Sequence, residues 1–251
     1  MFKKQGGDFL QRIDQSFQLS PLGDAAIVVA FGKQISEEIH KKVKTFVTKL
    51  DKHPFDGLIE YVPAFTTVTL YYNPWVLSKG GVKSAYEEVK TIVEELLKAV
   101  DTNKEVKARQ IEIPVCYEAE FSPDLAFVAE HNGLSKDEVI QIHTAGEYLV
   151  YMIGFAPGFP YLGGMNDNIA APRKTNPRSA IPKGSVGIAG SQTGVYPLET
   201  PGGWQIIGRT PVSLFNPYRE SPSLLQAGDI VTFTSISKEE YQEREERERE
   251  S

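Results

Sequence analysis

One stretch limits what this chain can become. Residues 151–211 read YMIGFAPGFPYLGGMNDNIAAPRKTNPRSAIPKGSVGIAGSQTGVYPLETPGGWQIIGRTP. About a quarter of the length thus holds more than half of the chain's 21 glycines and half of its 16 prolines. Glycine lets the backbone take φ > 0 and approach a neighbour closely, while proline fixes φ and removes a donor. Disordered segments share that bias but lack bulky apolar groups. Here Phe155, Phe159, Tyr161, Tyr196, Trp204, Ile206 and Ile207 are threaded between the turns. The stretch therefore predicts an ordered, turn-rich β surface. Its only acids are Asp167 and Glu199, against Arg173, Lys174, Arg178, Lys183 and Arg209. Such a surface would turn backbone amides and basic heads toward something anionic.

The whole chain, at 251 residues, is long enough for one large domain or two ordinary ones. Net charge is −6, which argues against a nucleic-acid binder. Much of that charge is local, because residues 239–251 carry seven Glu and three Arg and so −4 of the −6. The N-terminus has no apolar signal region, and no apolar run approaches the ~20 residues of a membrane span. Cys116 is the one cysteine, which excludes a disulfide framework or cysteine-rich metal site. Cytoplasm is the expected location.

Taken in order, residues 1–16 read as a flexible terminus. Residues 17–105 read β-α-β-β-α: a short strand, a turn at Pro21 and Gly23, and a buried strand over 25–31. Ser36 then caps a helix to about 50, strands cover Leu58–Pro63 and 66–72, and a helix covers 81–100. That order matches a ferredoxin-like α/β domain, with residues 110–117 as its closing strand. Residues 106–238 follow with short helices over 124–131 and 135–143, the latter opened by the capping box Ser135…Glu138. Strands are expected over 110–117, 148–153, 186–189, 194–196, 204–209, 213–215 and 230–235. Many short strands divided by Gly and Pro turns predict a closed β-barrel. The expected class is therefore α+β, a ferredoxin-like domain followed by a barrel. The Glu/Arg run of 239–251 is expected as a frayed, solubilising tail, although Glu240–Arg244, Glu243–Arg247 and Glu245–Arg249 stand at helical i,i+4 spacing.

Two readings of the Gly/Pro stretch stay open. Gly184, Gly187, Gly190 and Gly194, beside Lys183, Gln192 and Thr193, could form an amide nest for an anion, with the arginines adding bidentate donors. Alternatively the glycines only make barrel turns and the cations are solvated. No phosphate-binding loop or dinucleotide fingerprint is present. His40, His53, His131 and His143 have no metal-ligand spacing, and among them only His143, just before the strand into the Gly/Pro stretch, is a candidate acid or base. Paired carboxylates and a nucleophile elbow are missing. Donors in excess of bases look like half of a site.

The strings GFAPGFPYLGG (154–164), PRKTNPR (172–178), IPKGSVGIAGSQTGVYP (181–197) and TPGGWQIIGRTP (200–211) closely resemble the family of 5-oxoprolinase B subunits, formerly labelled allophanate hydrolase subunit 1 and including the kinase inhibitor KipI. The resemblance covers about residues 16–236. It implies a cyclophilin-like barrel behind an N-terminal α/β domain, and a polypeptide inactive on its own. With a KipA-like C subunit and an A subunit, such a chain cleaves 5-oxo-L-proline to L-glutamate using ATP and Mg²⁺. On that basis Arg209 and His143 are the expected catalytic residues. Arg173, Arg178, Lys183, Gly190, Gln192, Thr193, Tyr196, Gly202 and Gly203 are expected to bind substrate or phosphate. Some family members instead bind a sporulation sensor histidine kinase and block its autophosphorylation. For that role Phe155, Pro157, Phe159 and Tyr161 are the expected contact surface. Related domains in carboxyltransferases and allophanate hydrolases give a weaker alternative, and a homodimer stays open.

Overall fold

The computed structural model describes residues 17–98 and 108–250. The chain divides into two compact units, Met1–Thr102 and Asn103–Ser251. Residues 1–16, expected to form a flexible terminus, lie outside the described residues.

In the first unit, β1 (Gln18–Pro21) and β2 (Ala26–Ala30) form a hairpin that turns at Gly23, where φ is +62°. Helix α1 (Glu37–Lys52) opens at Ser36, whose hydroxyl accepts the Ile39 N–H at 3.2 Å. Strands β3 (Leu58–Pro63) and β4 (Thr67–Tyr72) pair antiparallel, giving the sheet order β1-β2-β4-β3. Alternation puts Val68, Leu70 and Tyr72 of β4 in one core with Ile27, Val29, Val43, Phe46 and Leu50. After β4 the structure differs from expectation. Asn73 caps a separate turn, α2 (Pro74–Leu77), by accepting the Trp75 N–H at 3.0 Å. Lys79, Gly80 and Gly81 then take φ of +51°, +75° and +90°, which no right-handed helix tolerates. Helix α3 therefore starts at Ala85 and runs to Lys98, adding Val89 and Val93 to the core. The β-α-β-β-α order is present as β2-α1-β3-β4-α3. Residues 110–117 do not close this sheet, because β1 lies beside β2 and 110–116 pair elsewhere.

The second unit is a closed barrel. Its strands are β5 (Gln110–Cys116), β6 (Glu147–Ile153), β7 (Pro160–Gly163), β9 (Ser185–Ala189), β10 (Gln192–Val195), β12 (Gln205–Arg209) and β13 (Ile230–Ile236). They close in the order β10-β7-β6-β13-β5-β12-β9. A small separate sheet pairs β8 (Arg178–Ile181) with β11 (Thr200–Gly202). Strands β5 and β13 run parallel, from Gln110 beside Ile230 to Cys116 beside Ile236. Arg109 clamps the start of that pairing with its Nε 2.8 Å from buried Asp229. Helices α4 (Leu125–Asn132) and α5 (Lys136–Thr144) send Leu125, Val128 and Val139 into the barrel core, against Ile113, Val150, Ile188 and Phe233. The capping box at Ser135 is formed, with both Ser135–Glu138 hydrogen bonds in place.

Three features of this unit depart from the sequence reading. β7, β8 and β11 arise within Gly/Pro runs that read as turns; Pro160 is tolerated because it begins its strand, where no ladder donor is needed. Residues 213–215 are not a strand, and only Phe215 makes an isolated pairing, with Ser223. The Glu/Arg run is not a frayed tail but a docked helix, α6 (Lys238–Glu250). Ser237 and Glu240 form its capping box, and Tyr241 is 3% exposed, packed at a tilt on Phe121 with ring centroids 4.5 Å apart beside Cys116 and Ile236. One buried aromatic contributes roughly 2 kcal/mol, several times a surface ion pair, so Tyr241 decides the matter. Glu243–Arg247 and Glu245–Arg249 do pair at 3.7 and 3.0 Å, while Glu240 serves the cap.

Candidate functional site

The residues singled out from the sequence fall into three separate environments. His143 and Thr193 lie inside the barrel. The Thr193 hydroxyl donates to the Gly187 carbonyl (3.1 Å), so it accepts from His143 Nε2–H (3.0 Å), and His143 Nδ1 accepts from the Tyr117 hydroxyl (2.8 Å). The ring stacks on Phe233 and is 0% exposed. Burial pushes its pKa down to about 3, so it stays neutral. The assignment of His143 as catalytic and Thr193 as phosphate-binding is therefore corrected: both ring nitrogens and the hydroxyl are spent on core hydrogen bonds that solvent does not reach. A pH dependence follows. In the unfolded chain a histidine titrates near 6.5, and in the fold near 3. Stability is complete above about pH 6.5 and falls toward pH 3 by up to about 1.4 kcal/mol per pH unit. His143→Gln, which can keep both hydrogen bonds, should flatten this slope in urea titrations at pH 7 and pH 5.

The second environment centres on a residue the sequence reading passed over. Asp124 stands at the N-cap of α4, but its side chain makes no capping bond. Its buried carboxylate instead accepts both guanidinium N–H groups of Arg178 (2.7 and 2.8 Å), the ammonium of Lys174 (3.0 Å) and the Ile206 N–H (2.7 Å). Burial alone would raise its pKa, but the donors of Arg178, Ile206 and Lys174 outweigh it and hold the carboxyl below its ordinary range. Arg178, expected to bind phosphate, is thus a bidentate partner of Asp124. Beside it lies an aromatic cluster in which Phe159 meets Phe155, Tyr161, Tyr196 and Trp204 edge to face, at 5.1 to 5.6 Å. Arg173 stands over the Trp204 ring at 6.0 Å, within cation–π range. Tyr196 is pushed up to about 12 by burial, so its hydroxyl stays a neutral hydrogen-bonding group. A Cβ at Gly202 would come within 2.4 Å of that hydroxyl, which explains the glycine. Gly203 accepts the Lys174 N–H (2.7 Å) and shapes the same loop. The expected contact surface is only partly exposed: Phe155 is 65% and Phe159 1% exposed, Pro157 is open, and Tyr161 half-buried. Phe159 is a core anchor and not a surface contact.

The amide nest is not formed. Gly190 donates to the Ala171 carbonyl and Gly184 to that of Tyr196, both at 2.7 Å, and Gly187 and Gly194 face each other in the β9–β10 ladder. Gln192 is half-buried in that ladder, opposite Ala189. Gly184 has φ of +82° and passes so close to the Thr210 carbonyl that a Cβ would lie 2.2 Å from it.

What remains is a basic cleft of about 460 Å³, lined by Lys183, Arg209, Ser213, Asn216, Arg219 and residues of α6. Arg209, at the end of β12, donates from Nε to the Lys183 carbonyl (2.9 Å), and Lys183 Nζ donates to the Ser213 hydroxyl (2.9 Å). Among the described residues, neither Arg209 nor Lys183 has an ion-pair partner. Arg219, which the sequence reading missed because it stands outside the Gly/Pro stretch, joins the same wall. No group of three His, Cys, Asp or Glu side chains able to hold a metal occurs among the described residues. Lys183, Arg209 and Arg219 equip the cleft to hold an anion, and the carboxylates in its lining, Glu245 and Glu248, are paired with Arg249 and Arg219.

Comparison with known proteins agrees with the ordered motifs that lie along this unit. The family model described as the carboxyltransferase domain, subdomain C and D, matches residues 17–225. A curated protein of Bacillus subtilis, the B subunit of 5-oxoprolinase, is 53% identical over 228 residues, 90% of this chain and 95% of that protein. The chain belongs to the family of 5-oxoprolinase B subunits. The corresponding B subunit of Escherichia coli O157:H7 is 39% identical, over 84% of this chain and 93% of its own length. Among solved structures, TTHA0988 superposes with a TM-score of 0.72 at 37% identity, and the match spans 84% of this chain but 40% of that longer one. No helix among the described residues is long and apolar enough to cross a membrane.

Proposed function

We propose that this chain is the B subunit of an ATP-dependent 5-oxoprolinase, cleaving 5-oxo-L-proline to L-glutamate together with the A and C subunits. Identity of 53% along nearly the whole of a curated B subunit is the observation that carries the reading. The cations that line the cleft support it. A lactam resists hydrolysis until its carbonyl oxygen is made a leaving group, and phosphorylation from ATP does this. ADP leaves in that transfer; water then adds at the carbon and the C–N bond breaks to give an acyl phosphate, and a second water splits this into glutamate and inorganic phosphate. Arg209 and Lys183 fit the part of holding the transferring phosphoryl group or the substrate carboxylate, because fixed cations stabilise charge that grows in the transition state. Ser213 and Arg219 add donors on the same wall.

The same residues fit phosphate and do not fit Mg²⁺, which is held by carboxylates and phosphate oxygens. Cleft cations of this chain would grip the phosphate end of ATP, and the metal's carboxylates and the base would come from the C subunit. Such a chain is inactive alone, and a cytoplasmic location goes with the reading. Mixing this chain with the A and C subunits and following 5-oxoproline-dependent ATP hydrolysis tests it.

A second reading, binding to a sensor histidine kinase, rests on Phe155. This exposed aromatic is held at φ of +69°, a strained position for a non-glycine residue, with its ring against buried Phe159. A rigid exposed aromatic suits an interface anchor. On this reading, Phe155→Ala lowers the affinity for the kinase's dimerisation helices at least tenfold in a pull-down titration; unchanged binding excludes Phe155 as the anchor.

A further inference from the structure

The basic cleft already contains a carboxylate of this chain's own. Glu248 Oε1 accepts the Ser213 N–H at 3.0 Å and a guanidinium N–H of Arg219 at 3.2 Å. A backbone amide beside an arginine fork is the donor set that grips the carboxylate or phosphate of a ligand. Glu248 reaches it from α6, whose Tyr241, Glu245 and Glu248 stand at i, i+4 and i+7, on one helix face, and all three line the cleft. Lys183 and Arg209 line the same cleft, and α6 also contributes Arg249, paired with Glu245 at 3.0 Å.

We propose that the acidic face of α6 is a tethered competitor for the anion-binding cleft, and that an anionic ligand enters by displacing the Glu248 carboxylate. The inference rests on the reading of this cleft as an anion site. The two ends of α6 are held differently, which makes displacement feasible. Its first turn is fixed by the Ser237–Glu240 capping box and buried Tyr241. Its last turn is joined to the cleft through Glu248, whose ion pair with Arg219 is partly exposed and therefore weak and salt-sensitive. The far end can lift while the near end stays seated. The ligand class is one that presents a phosphate or carboxylate group.

Binding of inorganic phosphate and, separately, of 5-oxo-L-proline to the full chain tests this by titration calorimetry. Four proteins are compared: the parent chain, Glu248→Gln, Glu243→Gln and Arg209→Ala. Glu243 pairs with Arg247 and does not line the cleft, so its neutralisation changes net charge equally without touching the contact. Glu248→Gln is expected to bind one of the two anions about tenfold more tightly, with Glu243→Gln unchanged and Arg209→Ala weakened. Phosphate alone gaining affinity marks a phosphoryl site, and 5-oxoproline alone a substrate-carboxylate site. If Arg209→Ala weakens binding but Glu248→Gln leaves it unchanged, or if both glutamine variants tighten it equally, the competitor is overturned and the cleft reading stands. If neither anion binds any of the four, the cleft reading falls and the competitor with it.

Discussion

Arg209→Ala is expected to lower 5-oxoproline-dependent ATP turnover of the assembled enzyme by about 10²-fold or more. The expectation comes from geometry. The Arg209 guanidinium is fixed through Nε on the Lys183 carbonyl, and no carboxylate among the described residues pairs with it. A fixed cation with no permanent counter-ion is free to stabilise charge that exists only during reaction. The same placement predicts a small structural effect. The lost hydrogen bond is solvent-exposed and worth about 1 kcal/mol, so the melting temperature should fall by no more than about 4 °C. Turnover unchanged in a folded variant would remove Arg209 from the site. A fall in turnover matched by unfolding would give it a structural role instead.

Asp124→Ala should have the opposite profile. It removes the counter-ion of Arg178 and Lys174 and leaves the Ile206 N–H unanswered. Taking one partner from a buried ion pair costs about 3–5 kcal/mol, because the other charge stays behind uncompensated. The melting temperature should therefore drop by roughly 10 °C. Acid has the same target. The Asp124 carboxyl is held below its ordinary range in the fold, so its stabilisation is present above the unfolded value near 4 and is lost as pH falls through the folded one. In Asp124→Ala that acid-sensitive part of the stability curve should be missing. A variant as stable as the parent at pH 7 would mean that the Arg178 and Lys174 contacts contribute nothing net.

Much of the fold was legible because its signals are local. The Ser36 and Ser135 caps, the alternation in β4 and the short strands of the barrel all depend on residues within a few positions of one another. What escaped depends on partners far along the chain. Asp124 stands at the N-cap of α4, and only the fold brings Arg178 to it from β8, 54 residues on. The parallel pairing of β5 with β13 claimed a strand that local order assigned to the first unit. The 239–251 run looked solvated because its charges dominate the string, whereas one tyrosine in thirteen residues decided that it docks. The site divided for a related reason. Spacing places most of the expected polar side chains along one stretch, but the fold sends neighbours in sequence to different environments. Thr193 in β10 went to the core, where it meets His143 of α5, Arg178 in β8 to an ion pair, and Arg209 in β12, with Lys183 from the turn before β9, to the open cleft.

The most direct measurement is ATP hydrolysis dependent on 5-oxo-L-proline, made with this chain alone, with the C subunit, and with the A and C subunits together. Turnover confined to the mixtures, and lost when Arg209→Ala replaces the parent chain, is the predicted result. Turnover by this chain alone, or none in the complete mixture of folded subunits, would contradict it.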